Sequence, residues 1–163
     1  MPVIERLRPD HAAAVLLFEQ ENRAYFAASV PDRGDDYFAE FDQRFRGLLA
    51  EQDDGVCHFH VVVGGNGEVL GRVNLVDVAD GSAELGFRIA EKAAGRGLAT
   101  AAVRELCTTA ARDYGLRSLW ASAAVDNAAS RAVLGRVGFV PTGEEVVLAG
   151  RAGHRFVLGL VRG

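Results

Sequence analysis

Read along the chain, the apolar positions change period several times. Residues 10–28 predict a helix: Asp10 stands where an N-cap belongs, and the residues from Ala12 to Phe18 are mostly good helix formers. Val30-Pro31 and Arg33-Gly34 stop it. Residues 36–51 predict a second helix. Phe38, Phe41, Phe45, Leu48 and Leu49 recur at three- and four-residue spacing and share one face. Asp35 and Asp36 suit the positive end of its dipole. The pattern then becomes strand-like. Residues 58–63 are apolar and β-branched, and Gly64-Gly65-Asn66-Gly67 is a hairpin signal. Residues 68–78 and 83–90 read as two further strands separated by Asp80-Gly81-Ser82.

The helical period returns over residues 97–114, whose buried stripe is Leu98, Ala99, Ala102, Val103, Leu106 and Ala110. A strand over 117–125, a short helix over 128–137 and a strand over 139–148 follow. Residues 150–153 turn the chain into a last strand over 154–161. The order α-α-β-β-β-α-β-α-β-β predicts an α/β domain with a mixed sheet.

Composition narrows the picture without deciding it. The 163 residues are 49% hydrophobic and 25% charged, ordinary values for one globular domain. A net charge of -4 weighs against nucleic acid as a main partner. Two cysteines, Cys57 and Cys107, are too few for a disulfide framework or a four-ligand zinc site, and reduced thiols are expected. The leading MPVIERLRPD lacks the apolar core of a signal peptide, and no apolar run is long enough for a bilayer. A cytoplasmic protein with no membrane contact is therefore expected.

Chemistry enters at Lys92-Ala93-Ala94-Gly95-Arg96-Gly97-Leu98-Ala99-Thr100, between a predicted strand and a predicted helix. Glycines there let the backbone approach an anion, and the first helical amides point out unpaired. The helix dipole adds positive potential, so the turn suits a phosphate or pyrophosphate. Lys92 and Arg96 would flank it with charge. The spacing is neither that of an NTPase P-loop nor that of a dinucleotide-binding turn. By itself the turn is equally compatible with a ligand-free strand-to-helix connection.

Glu84-Leu85-Gly86-Phe87-Arg88-Ile89 followed by Lys92-x-x-Gly95-x-Gly97-x-Ala99 resembles the acetyl-CoA signature of the GNAT N-acetyltransferases. That signature runs Gln or Arg, two residues, Gly, one residue, then Gly or Ala; lysine replaces its first position here. Asn127-x-x-Ser130-x-x-Val133-Leu134-x-Arg136-x-Gly138-Phe139 is similar to a second family signature, typical of the RimJ/RimL-like branch. The stretch from Glu21 to Phe26, ending in Pro31, also resembles that branch, although Ser29-Val30 stands where an aromatic residue is common.

The resemblance implies a GNAT fold, with a mostly antiparallel mixed sheet flanked by helices and a short first strand over 3–7. It implies acetyl-CoA as co-substrate, no metal, an amine acceptor, and a homodimer as one state such domains adopt. The cofactor contacts it implies are Phe87, Arg88, Ile89, Lys92, Gly95, Arg96, Gly97, Leu98, Ala99, Thr100, Asn127 and Ser130. The arm of the cofactor would pair with the backbone of residues 87–89 in a splayed gap before the strand over 117–125. A backbone N–H in that gap would polarise the thioester carbonyl.

Ser130 matches the family position next to the sulfur and is the candidate acid; its alternative is a serine that caps its own helix. Glu84 is the candidate base, directly or through water, against an ordinary solvated strand glutamate. Glu144 and Glu145 are weaker bases. Tyr114 lies at the wrong end of its helix for an acid and is expected to pack. His58 and His60 lack a third metal ligand and are expected to be exposed. Trp120 and Phe87 are expected in the core, and Arg23, Tyr25 and Phe26 near the acceptor. Protein N-termini are the favoured acceptors by resemblance. Small amines, or a CoA-binding module without turnover, are the alternatives.

Overall fold

The computed structural model describes residues 2–161. Strand β1, Val3–Arg6, leads through a 3-10 turn at Pro9–His11 into helices α1, Ala12–Glu21, and α2, Arg23–Ala27. Helices α3, Asp35–Ala39, and α4, Phe41–Asp53, follow. Then come β2, His58–Val63; β3, Val69–Ala79; and β4, Ser82–Ile89. The second half is α5, Leu98–Arg112; β5, Ser118–Ala124; α6, Ala128–Val137; β6, Val140–Leu148; and β7, Arg151–Gly159.

The seven strands form one sheet in the order β1-β2-β3-β4-β5-β7-β6, antiparallel except where β4 meets β5. Alternation along the strands gives each face its own core. Val62, Val73, Leu75, Leu85, Leu119 and Ala121 pack with Ala102, Val103 and Leu106 of α5. On the opposite face Phe59 and Val61 pack with Val15, Phe18, Phe41 and Phe45 of α1 and α4.

Each of the two long predicted helices is broken. The expected helix over 10–28 splits at Asn22, where φ is -105° and ψ 9°; its backbone and side-chain N–H groups both donate to the Phe18 carbonyl, at 3.2 and 2.9 Å. Asp10 belongs to the 3-10 turn and pairs with Arg8 rather than capping a helix. The helix over 36–51 splits at Glu40, where φ is -106° and ψ 21°. The last strand starts earlier than its turn residues imply, because Ala149 and Gly150 both take positive φ and reverse the chain in two residues.

His60 is buried rather than exposed. Its Nε2 lies 2.6 Å from the Tyr114 hydroxyl, while the half-buried His58 ring stacks on Tyr114 at 3.7 Å. Tyr114 therefore does more than pack: its hydroxyl also accepts a hydrogen bond from Arg6. Trp120 is half-exposed, with the Arg155 guanidinium 4.2 Å over its ring. Among the described residues no helix is long and apolar enough to cross a membrane.

Candidate active site

Strands β4 and β5 are in parallel register only at Ser82–Ser118, Ala83–Leu119 and Glu84–Trp120. Beyond that the strands part, leaving residues 85–89 and 121–124 without a strand partner on the side of the gap. Their backbone groups are strong donors and acceptors that a bound chain can satisfy. A cavity of about 450 Å³ occupies this gap. Its walls come from both faces of the sheet: Tyr25, Phe26, Ser29 and Val30 from one, the starts of α5 and α6 from the other.

The floor of the cavity is the turn into α5. Gly97 takes φ 74° and no side chain caps the helix. Among the described residues no backbone N–H from Gly95 to Thr100 finds a hydrogen-bond partner, and the Thr100 hydroxyl is buried without one. Such a row of free donors at a helix N-terminus favours an anion. Gly95, Gly97, Leu98, Ala99 and Thr100 all line the cavity. Lys92 and Arg96 do not line it. Lys92 pairs with Glu68 at 3.3 Å, and Arg96 donates to the Lys92 carbonyl.

At the start of α6 the Asn127 side chain accepts from the Ser130 amide at 3.1 Å and caps the helix. Its NH2 group and the Ser130 hydroxyl make no hydrogen bond among the described residues, and both residues line the cavity. Asn127 is thus the cap, which leaves the Ser130 hydroxyl uncommitted. Phe87, Arg88 and Ile89 line the wall contributed by β4.

Glu84 lies outside the cavity wall, opposite Trp120 at the point where the strands part. Burial and the charge of Asp77 raise its pKa above the usual carboxylate range, against the opposing effect of Arg155. Gly86, two residues on and exposed, shares its sheet face. Glu144 is paired with Arg155 at 2.9 Å. Neither cysteine lines the cavity, and burial pushes the Cys107 thiol up to about 11 and Cys57 upward as well.

Residues 3–140 match the acetyltransferase (GNAT) domain. The chain belongs to the GNAT acetyltransferase family. A Bacillus subtilis protein, YdaF, provisionally named a ribosomal N-acetyltransferase, is 38% identical over 81 residues, 48% of this chain and 44% of that protein. The matched stretch thus spans less than half of that relative. Two solved structures superpose nearly end to end. The ribosomal-protein-S5-alanine acetyltransferase of Vibrio fischeri is 20% identical with a TM-score of 0.86, over 96% of this chain and 92% of that one. The RimJ protein of Mycobacterium smegmatis, in complex with CoA-disulfide, is 25% identical with a TM-score of 0.83, over 96% and 80%.

As a GNAT domain the chain needs room for acetyl-CoA, and this site fits it: an unpaired strand edge, a row of free amides, an orphaned Thr100 hydroxyl and an open cavity. Tyr25 and Phe26, expected near the acceptor, line the cavity. Arg23 is instead tied to Asp32 and Asp35, both at 2.8 Å. Ser29, Val30, Val133 and Arg136 were named from sequence only as parts of the family pattern, not as site residues, and Ala129 and Ala132 were not singled out; all six line the cavity. The four helical ones stand three and four residues apart from one another, a spacing that would have found them as one face.

Proposed function

We propose that this GNAT domain moves an acetyl group from acetyl-CoA to the α-amine of a protein N-terminus, by direct attack within a ternary complex. The observation that carries the reading is the gap between β4 and β5, floored by the free amides of the turn into α5. When bound, acetyl-CoA supplies an acetyl group activated as a thioester. The amides from Gly95 to Thr100 hold its phosphates, and the freed edge of residues 87–89 holds its arm. Backbone N–H groups along that edge stabilise negative charge on the reacting carbonyl. The Ser130 hydroxyl hydrogen-bonds to the departing sulfur and passes it a proton that water restores. Glu84 takes the proton of the attacking amine. It lies outside the cavity wall, so it works through water. The raised pKa of Glu84 suits that task.

Direct attack is favoured because the two thiols are held protonated and lie away from the cavity. Protein N-termini are favoured because YdaF and the two structural relatives carry ribosomal or ribosomal-protein acetylation in their names or belong to the RimJ type. Both cysteines are free, which suits the cytoplasm.

A thiol-release assay with acetyl-CoA and short peptides of varied N-termini tests the reading. Turnover on peptides is expected, falling about 100-fold in Ser130→Ala while acetyl-CoA still binds. Turnover confined to polyamines or aminoglycosides would overturn the acceptor class. Full activity in Ser130→Ala would remove that residue from the proton path.

A further inference from the structure

On the α1 side of the sheet lies a charge cluster that the acetyl donor does not account for. Glu19 of α1 is 1% exposed and accepts hydrogen bonds from three arginines. Arg33 grips it with two bonds of 2.9 and 3.2 Å, Arg72 of β3 donates at 2.8 Å and Arg88 of β4 at 3.2 Å. Burial alone would raise the Glu19 pKa, but the guanidinium groups outweigh it and hold the carboxyl below its usual range. One carboxylate thus faces three permanent cations, and the cluster keeps a surplus of positive charge.

That surplus is open to a ligand at Arg88. Among the described residues its Nη1–H bond to Glu19 is its only hydrogen bond; its Nε and second Nη find no partner there, and neither is sealed from solvent. The guanidinium lies 4.6 Å over the Phe26 ring, and Arg88 borders both the cavity and a small pocket beside Glu19 and Arg33. The groups that face it are Glu19, Arg33, Arg72 and the Tyr37 hydroxyl, two cations against one carboxylate. Burial and these cations lower its pKa, the signature of a buried charge short of counter-charge.

The ligand is not the phosphate end of the donor. Arg72 and Arg88 are paired across β3 and β4 and point to the α1 side, whereas their neighbours Val73 and Phe87 point to the α5 side. The free amides of the turn into α5 open on that second side. Sheet thickness separates the two positive features, and the amine acceptor is the ligand left for Arg88.

Resting on the acetyl-transfer reading above, we propose that Arg88 reads a carboxylate on the acceptor. The preferred substrates are then amines with an acidic group close by: an acidic side chain next to a peptide N-terminus, or the α-carboxylate of a free amino acid. The planar fork of arginine matches a carboxylate, and a charge-assisted pair of this kind supports discrimination of about tenfold or more.

The test uses isosteric acceptors with acetyl-CoA: amidated Ser-Glu-Ala against Ser-Gln-Ala, and free serine against serinamide. In wild type, kcat/KM is expected to be about tenfold higher for at least one acidic member, carried mainly by KM. The pair that discriminates identifies the source of the carboxylate. In Arg88→Gln the ratio should collapse to about one, and Arg88→Lys should restore part of it. Thermal melts of both variants report folding separately, and the ratio within each variant is independent of the amount folded. Turnover without preference for either acidic member overturns the inference alone. A preference unchanged in Arg88→Gln, with Arg88→Lys also unchanged, does the same. Absence of turnover on all four acceptors overturns it together with the acetyl-transfer reading.

Discussion

Arg6, His58, His60 and Tyr114 form a network in which neither imidazole is comfortable as a cation. Burial, with Arg6 beside them, lowers the pKa of both rings to about 4. In the unfolded chain the same rings protonate near the ordinary value of about 6.5. Between about pH 6.5 and about pH 4 the unfolded state therefore binds more protons, and stability is lost as pH falls through that window. Denaturation midpoints in urea at about pH 7.5, 5.5 and 4.5 should decline steadily, and His60→Phe should flatten the decline. A midpoint independent of pH over that range would contradict the burial argument. This network was not legible in the sequence. The alternation placed His58 and His60 on one face of β2 but could not say that the C-terminal end of α5 covers it. Glu19 was equally hidden: its three arginine partners come from a loop and two strands far along the chain, and nothing near it in sequence foretells them.

At the scale of elements, strands and turns read well where the chemistry is local, and helices read poorly where tertiary contacts cut them. The turn into α5 shows the first case. Gly97 takes φ 74°, a conformation costing an L side chain about 1–2 kcal/mol, although a Cβ there would meet nothing within 4 Å. Gly97→Ala is expected to destabilise the fold by about that amount and to weaken acetyl-CoA binding, read by thermal melts with and without the ligand; an unchanged melt in both would refute the conformational argument. The break between α1 and α2 shows the second case. The Asn22 side chain bonds the Phe18 carbonyl and also accepts from the Glu91 amide at 2.9 Å, joining the helix pair to the segment that opens the acetyl-CoA turn. Asn22→Ala leaves the part-buried Glu91 amide without its partner, while the Phe18 carbonyl keeps only the backbone N–H of residue 22. It should cost about 1–3 kcal/mol and lower the melting temperature by several degrees. No shift in the melt would mean that solvent replaces both bonds. Helix propensity alone carries the pattern straight through Asn22, which is why the sequence predicts one helix there.

At the scale of the whole molecule, one departure from regularity organises the site. Two strands pair for three residues and then separate, and the opening joins the two faces of the sheet in a single cavity. The motifs along 84–100 and 127–139 made the donor side legible, because glycine spacing and helix starts are local signals. The opposite wall of the cavity was only partly legible, since it is assembled from α2, the following loop and β4. The charge of the chain is -4 overall, yet the α1 wall is locally positive, so bulk charge is a poor guide to the acceptor.

The central claim is direct transfer of acetyl from a donor in this gap to an amine. Its most direct test mixes the protein with acetyl-CoA and a short peptide and follows, by mass spectrometry, where the acetyl group travels. Acetylation of the peptide α-amine is expected, with one free CoA released per acetyl and none carried by the protein at any time. Acetyl appearing first on the protein, or a bound donor that never yields acetylated peptide or any other acetylated amine, would contradict the account.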